Sequence, residues 1–294
     1  MWEACYFLDV SSLEILLEER FEGGKHTEGR ERSGGQVTLK KLEALLDEER
    51  LSKYQGIQNK KVTGACLGAG LLLRLAATEF EYFRRACLQE NRDLSGGLLR
   101  DFWEEHSKWE KQWQSKSKCV GEALRSISEK PRILTPKDIF ERMRQLPSEC
   151  QLELRYHYGK AGKPYWDGIP LFFSLSHSGD LVGLAVSEQE LGLDVQRVTG
   201  TDWKKLAERF YSVEEQEELW GLCEQSEELG RKGFFRLWCQ KESYGKLTGE
   251  GVLPYLCKRT TEFKNIVFFE KELELSGNEY CFALCKGRVN GREK

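Results

Sequence analysis

A short apolar run, Ala4 to Val10, predicts a first strand. A segment rich in Gly and charge follows from Phe21 to Gln36 and is expected to be a loop. From about Leu39 to Leu88 the apolar positions recur at helical spacing, with Leu42, Leu45 and Leu46 first and Leu67, Leu71, Leu72 and Leu75 later. Residues 89–130 are strongly charged and read as an insertion, although Phe102, His106, Trp109 and Trp113 fall on one helical stripe. That stripe is expected to pack rather than to bind a ligand through His106. Beyond it the pattern changes to short apolar strands at 171–175, 181–186 and 191–195. Helices are predicted at 202–209, 213–225 and 232–247, and strands at 266–270 and 279–285. A helical first half followed by mixed strands and helices predicts an α/β (α+β) fold.

Composition narrows the class of protein. The 294 residues suffice for one large or two smaller domains, and 39% hydrophobic with 32% charged is a globular mixture. A formal net charge of −3 is not that of a nucleic-acid binder. Ten cysteines raise the question of disulfides, yet no C-x-x-C pair occurs and the closest two are Cys281 and Cys285. Several sit in apolar runs, where a free thiol acts as a small hydrophobe. Met-Trp-Glu-Ala-Cys-Tyr is no signal-peptide start, and no uninterrupted apolar run approaches a membrane span. A reduced, cytoplasmic monomer with no membrane partner is the expectation.

Three segments carry candidate chemistry. In Leu191-Gly-Leu-Asp-Val-Gln196, alternation puts Gly192, Asp194 and Gln196 on one face, and an acid among apolar neighbours needs a partner or a metal. Gly192 is expected to leave room for a ligand beside Asp194, and a strand-end aspartate facing water is the plain alternative. In the helix containing Trp238-Cys-Gln-Lys-Glu-Ser-Tyr-Gly-Lys246, residues 235, 238, 242 and 246 share a face. Glu242 and Lys246 are then either site residues or an exposed i,i+4 ion pair. In Leu171-Phe-Phe-Ser-Leu-Ser-His-Ser-Gly179 a strand is expected to run into a turn bearing Ser176, His177 and Ser178, a phosphate cradle of hydroxyls, imidazole and backbone N–H groups. A Ser-His hydrolase is the rival reading, weakened by the lack of a G-x-S-x-G elbow.

The ordered set Gly162-Lys-Pro164, Phe173-Ser-Leu-Ser-His-Ser-Gly179, Gly192-Leu-Asp194, Arg209-Phe-Tyr-Ser-x-x-Glu215 and Trp238-x-x-Lys241-Glu242-Ser-x-x-Lys246 closely resembles the Sfp-type 4′-phosphopantetheinyl transferases. The resemblance covers roughly residues 160–251. Glu49-Arg50-x-x-Lys53 and Leu67-Gly68 match more loosely. It implies a pseudo-two-fold pair of similar subdomains, at residues 1–188 and 189–294. It also implies transfer of the phosphopantetheine arm of coenzyme A to a serine of an acyl or peptidyl carrier protein, with release of adenosine 3′,5′-bisphosphate. By position Lys163 and Pro164 would meet the adenine end, Ser176 and His177 the phosphates, and Arg50 and Lys53 the 3′-phosphate. Asp194 and Glu242 would bind Mg2+, Glu242 would help deprotonate the carrier serine, and Lys246 would balance charge on the phosphate under attack.

Two departures qualify this. Many family members carry a second acid where this chain has Gln196, whose amide oxygen can contact Mg2+ but adds no charge. The insertion at 89–130 is the other. A relative that binds carrier protein or coenzyme A without transfer is the competing reading.

Overall fold

The computed structural model describes residues 3–21, 37–89 and 133–287. The elements in order are β1 (Glu3–Asp9), α1 (Leu13–Phe21), α2 (Leu39–Glu43), α3 (Glu48–Gly56), α4 (Lys60–Gln89), β2 (Ile133–Leu134) and α5 (Pro136–Gln145). There follow β3 (Tyr156–Tyr158), β4 (Pro164–Trp166), β5 (Phe172–Ser178), β6 (Leu181–Ser187) and β7 (Leu191–Arg197). The chain closes with α6 (Trp203–Phe210), α7 (Val213–Gln225), α8 (Glu227–Thr248), β8 (Ile266–Leu275) and β9 (Asn278–Gly287). The fold is mixed α/β, as expected. The Phe21–Gln36 loop beyond Phe21, and the Trp109–Trp113 stripe with nearly all of the insertion, lie outside the described residues.

Two compact units divide the chain. One comprises residues 6–155 with 180–182; the other comprises 3–5, 156–179 and 183–294. This departs from the expected boundary after residue 188. The reason lies within the second unit, where β5 is tied to β7 by side-chain hydrogen bonds described below.

The first unit is mostly helical. β1 and β2 pair in parallel, Phe7 opposite Ile133 and Leu8 opposite Leu134. The single helical pattern predicted over 39–88 is broken into three. Asp47 accepts the Arg50 N–H and caps α3, while Asn59 accepts the Lys61 and Val62 N–H groups at the start of α4. Asp and Asn offer the backbone this alternative to a continuing helix. α4 is long and apolar enough to cross a membrane by length and composition, contrary to the expectation from uninterrupted runs. Its apolar positions, Leu67, Leu71, Leu72 and Leu75 among them, are buried within the unit, and it packs against α1, α3 and α5. That packing accounts for its hydropathy. α5, absent from the sequence reading, starts with a Thr135–Asp138 capping box and Pro136.

The second unit holds a three-stranded antiparallel sheet of order β7-β9-β8, with Leu193 opposite Leu284 and Asp194 opposite Ala283. α8 packs on this sheet. It begins at the Ser226 cap, five residues earlier than predicted, and ends at Gly249 in the left-handed conformation. Early in α8, a Cβ on Gly230 would lie 2.2 Å from the Cys223 sulfur, so glycine there permits α7 to approach. Trp203, Tyr211, Phe234 and Phe235 are buried at the centre of the unit's core. β3 and β4 form a small antiparallel pair that sequence reading missed.

Candidate active site

β7 supplies the centre of the site. Leu191 to Val195 are all buried, and Asp194 is only 2% exposed. A buried carboxylate requires partners, and this one has several. Its Oδ1 accepts from Ser176 Oγ at 2.8 Å and from Lys246 Nζ at 2.8 Å, and Oδ2 accepts from Gln196 Nε2 at 3.0 Å. The water-facing alternative for Asp194 is therefore excluded.

Gly192 allows this assembly, though not by leaving room for a ligand. A Cβ there would lie 1.9 Å from the Ser243 carbonyl oxygen and 2.6 Å from the Leu247 nitrogen. The space is filled by the backbone of α8, which is how Lys246 comes to reach β7. Lys246 Nζ also donates to the Leu193 carbonyl at 2.9 Å. Its ion pair with Asp194, at side-chain exposures of 30% and 3%, replaces the surface Glu242–Lys246 pair considered from sequence.

Glu242 lies one turn before Lys246 on α8 and is half-buried. Burial raises its proton affinity, the charge of Asp194 raises it further, and Lys246 opposes both. Desolvation by surrounding protein lowers the proton affinity of His177, as does the Lys246 charge, while Asp194 pulls the other way. His177 keeps an exposed surface and is held toward neutral imidazole. Both shifts show that Glu242 and His177 share the electrostatic environment of Asp194 and Lys246.

Ser176 and Ser178 belong to β5 rather than to a turn, which comes at Gly179–Asp180. Ser174, Ser176 and Ser178 alternate along β5, and their hydroxyls accept the N–H groups of Leu193, Val195 and Arg197 at 2.9, 3.1 and 2.9 Å. β7 has β9 on one edge. On the other, serine hydroxyls take the place of a neighbouring strand's carbonyls. The Ser176 hydroxyl thus accepts from Val195 and donates to Asp194. This ladder was not legible in the sequence, where each serine reads equally well as a phosphate ligand.

Lys163 donates to Glu190 and to the Leu247 carbonyl, the latter at 3.0 Å, and its ammonium lies 5.5 Å from the centre of the Tyr165 ring. Pro164 opens β4. Arg50 and Lys53 lie on α3 of the first unit, Arg50 buried and Lys53 exposed. Burial pushes the Cys66 thiol up, and the charges of Arg50 and Lys53 are among those pulling it down, which puts both cations in its neighbourhood.

Lys241 and Glu215 were present in the motifs without an assigned role. They pair at 2.9 Å with 0% and 2% of their side chains exposed. Glu215 also completes a capping box with Ser212 and accepts the Thr260 N–H. Of the aromatics beside it, Tyr211 is core and donates to the Phe234 carbonyl, while Phe210 is half-buried against Trp238.

Among the described residues no group of three or more His, Cys, Asp or Glu side chains is arranged to hold a metal ion. Burial first, and then the Asp194 charge, raise the proton affinity of Glu242. Asp194 and Glu242 bring carboxylate oxygens, and Gln196, whose NH2 donates to Asp194, carries an amide oxygen as well, so the available donors are all oxygen. Such a set fits a hard divalent cation whose remaining ligands are water and substrate oxygens.

Residues 190–286, within the second unit, match the model of the 4′-phosphopantetheinyl transferase superfamily. A 4′-phosphopantetheinyl transferase of Bacillus pumilus is 38% identical over 117 residues, covering 40% of this chain and 47% of the relative. A putative one from Synechocystis is 31% identical over 145 residues, covering 47% and 57%. One from Bacillus subtilis is 32% identical over 123 residues, covering 41% and 52%. The chain spans about half the length of the curated relatives it matches.

Proposed function

We propose that the chain transfers the 4′-phosphopantetheine arm of coenzyme A to a serine hydroxyl of an apo acyl or peptidyl carrier protein, with Mg2+ as cofactor. The observation that carries this reading is the convergence of Asp194, Glu242 and Lys246, inside the stretch that matches the superfamily.

Each residue has a role that its environment suits. Glu242, whose proton affinity is raised, takes the proton from the carrier serine, directly or through water. The serine oxygen forms its bond to the phosphate bearing pantetheine, the pyrophosphate P–O bond breaks, and adenosine 3′,5′-bisphosphate leaves. Lys246, held beside Asp194 and partly exposed, offsets the charge that develops on that phosphate. His177 stands ready to donate a hydrogen bond to a phosphate oxygen. Asp194 and Glu242, with Gln196 as a further oxygen donor, would hold Mg2+, which supplies Lewis-acid neutralisation of the pyrophosphate when bound. Within the second unit, Lys163 and Pro164 are the proposed contacts of the adenine end. Phosphoryl transfer needs mostly positioning and charge neutralisation, which this set provides.

Gln196 favours a second reading, a relative that binds coenzyme A or carrier without transfer, because it removes a negative charge from the cation site. Chromatographic quantitation of adenosine 3′,5′-bisphosphate separates the two. Release that requires both an apo-carrier and Mg2+ supports transfer. Carrier or coenzyme A binding without release supports the second reading.

A further inference from the structure

A hollow of about 380 Å³ opens where the loop at Gly200 and Thr201 meets the first turns of α8. Trp203, Glu227, Glu228 and Arg231 complete its lining. Arg231 is half-buried there, and its guanidinium carries five N–H donors and a permanent charge. Its Nε is buried without an acceptor, and among the described residues no ion pair or hydrogen bond reaches the guanidinium. The sequence supplies Arg231 with two natural partners, because acids three and four residues back on a helix lie beside it. Both turn elsewhere. Glu227 pairs with Lys204 at 2.7 Å, and Glu228 with Lys232 at 3.2 Å, a lysine shared with Glu272 and Glu279. Glu227 and Glu228 are 65% and 57% exposed, so solvent screens what their lysines leave.

We infer that this hollow is a socket for one carboxylate side chain of an acidic helix on the apo-carrier, gripped by Arg231. The inference rests on the carrier reading above and adds to it a specificity-determining residue away from the cation site. A planar guanidinium takes a carboxylate through two parallel N–H···O bonds, which fixes direction as well as charge. An α-helix is about 10 Å across with its side chains, so the hollow admits a side chain projecting from a helix and not the helix itself. Trp203, only 4% exposed, gives the stem of that side chain an apolar wall. The Lys204 ammonium, 5.5 Å from the centre of the Trp203 ring, adds positive charge beside it. A phosphate dianion would meet Glu227 and Glu228 in the same lining at twice the charge, which favours the singly charged carboxylate.

The test is isothermal titration calorimetry of an apo-carrier panel against the full chain, which reads binding whether or not transfer follows. Arg231→Met keeps most of the stem and removes the charge and the donors. It should weaken carrier binding by about 10-fold, the order of one hydrogen bond to a charged group, and leave coenzyme A affinity unchanged. Arg231→Glu should weaken it further, and lysine at one acidic position of the carrier helix should restore binding to that variant. Because the described residues satisfy no donor of Arg231, the melting temperature of Arg231→Met should not fall. Unchanged carrier affinity in Arg231→Met, a fall in melting temperature that accompanies the loss, or no rescue by any lysine overturns the socket while the carrier reading stands. If the unaltered chain binds no carrier of the panel, the carrier reading itself fails, and the socket with it.

Discussion

Glu215 of α7 and Lys241 of α8 form an ion pair at 2.9 Å with neither side chain open to solvent. The pair joins two sequence motifs and fixes the helix that carries Glu242 and Lys246. Lys241 also donates to the carbonyls of Tyr255 and Lys258, so its ammonium is matched on several sides. Removing one partner strands a buried charge, which costs about 3–5 kcal/mol. Lys241→Met is expected to lose that much in urea denaturation, and Glu215→Met with Lys241→Met less than either single change. A loss in the double variant equal to the sum of the two single losses would show that the pair has no coupling.

The approach of α8 to β7 sets the second prediction. Gly192→Ala drives a Cβ into the Ser243 carbonyl, a backbone atom that cannot move alone. A loss of about 3 kcal/mol or more is expected, at the upper end of overpacking costs. Gly200→Ala, where nothing lies within 4 Å, should change stability by less than about 1 kcal/mol. Matching melting temperatures for the two variants would contradict the close contact.

Glu242 gives a pH-dependent outcome. Burial and the Asp194 charge raise its folded pKa above the unfolded value, so the folded chain keeps this proton to higher pH. The stability from neutral Glu242 is fully present below about 4.3, the ordinary glutamate value, and is lost as pH rises through the folded pKa. The amide introduced by Glu242→Gln stays neutral throughout. Without added metal, the variant should gain stability over the unaltered chain as pH rises, and the gain should level off above the folded pKa. Urea midpoints measured across that range check this, and a gap independent of pH would oppose it.

Much of the site was readable because its residues are close in sequence and their periodicity is physical. Asp194 with Gln196 follows from the alternation of a strand, and Glu242 with Lys246 from one helical turn. The helix predicted from residue 213 starts there, behind a Ser212–Glu215 capping box. What was not readable depends on distant partners. The hydroxyls of Ser174, Ser176 and Ser178 meet amides 19 residues ahead, and nothing local distinguishes that use from binding a phosphate. Gly192 reads as open space until α8 is known to fill it. The helical run over 39–88 hid two breaks because apolar periodicity continues across Asp47 and Asn59, whose side chains restart the helix.

A carrier with an acidic, amphipathic helix needs basic residues beside apolar contacts. Arg209 lies exposed with its guanidinium 5.0 Å from the centre of the half-buried Phe210 ring, whereas Lys204 is paired with Glu227 at 2.7 Å. We propose α6 as part of the carrier-docking surface. Arg209→Glu should raise the carrier KM about 10-fold, more than Lys204→Glu does, and leave the coenzyme A KM nearly unchanged. The salt dependence of the carrier KM should fall as well. Equal effects on both substrates would place docking elsewhere.

Intact-mass spectrometry of an apo-carrier panel incubated with coenzyme A tests the central claim most directly. The account predicts a phosphopantetheine adduct on at least one carrier with the unaltered chain and Mg2+, and none when the metal is chelated. Asp194→Ala and Glu242→Gln should each slow its appearance by about 100-fold or more while remaining folded. Near-normal modification by either variant at saturating Mg2+, or a folded chain that modifies no carrier, would contradict it.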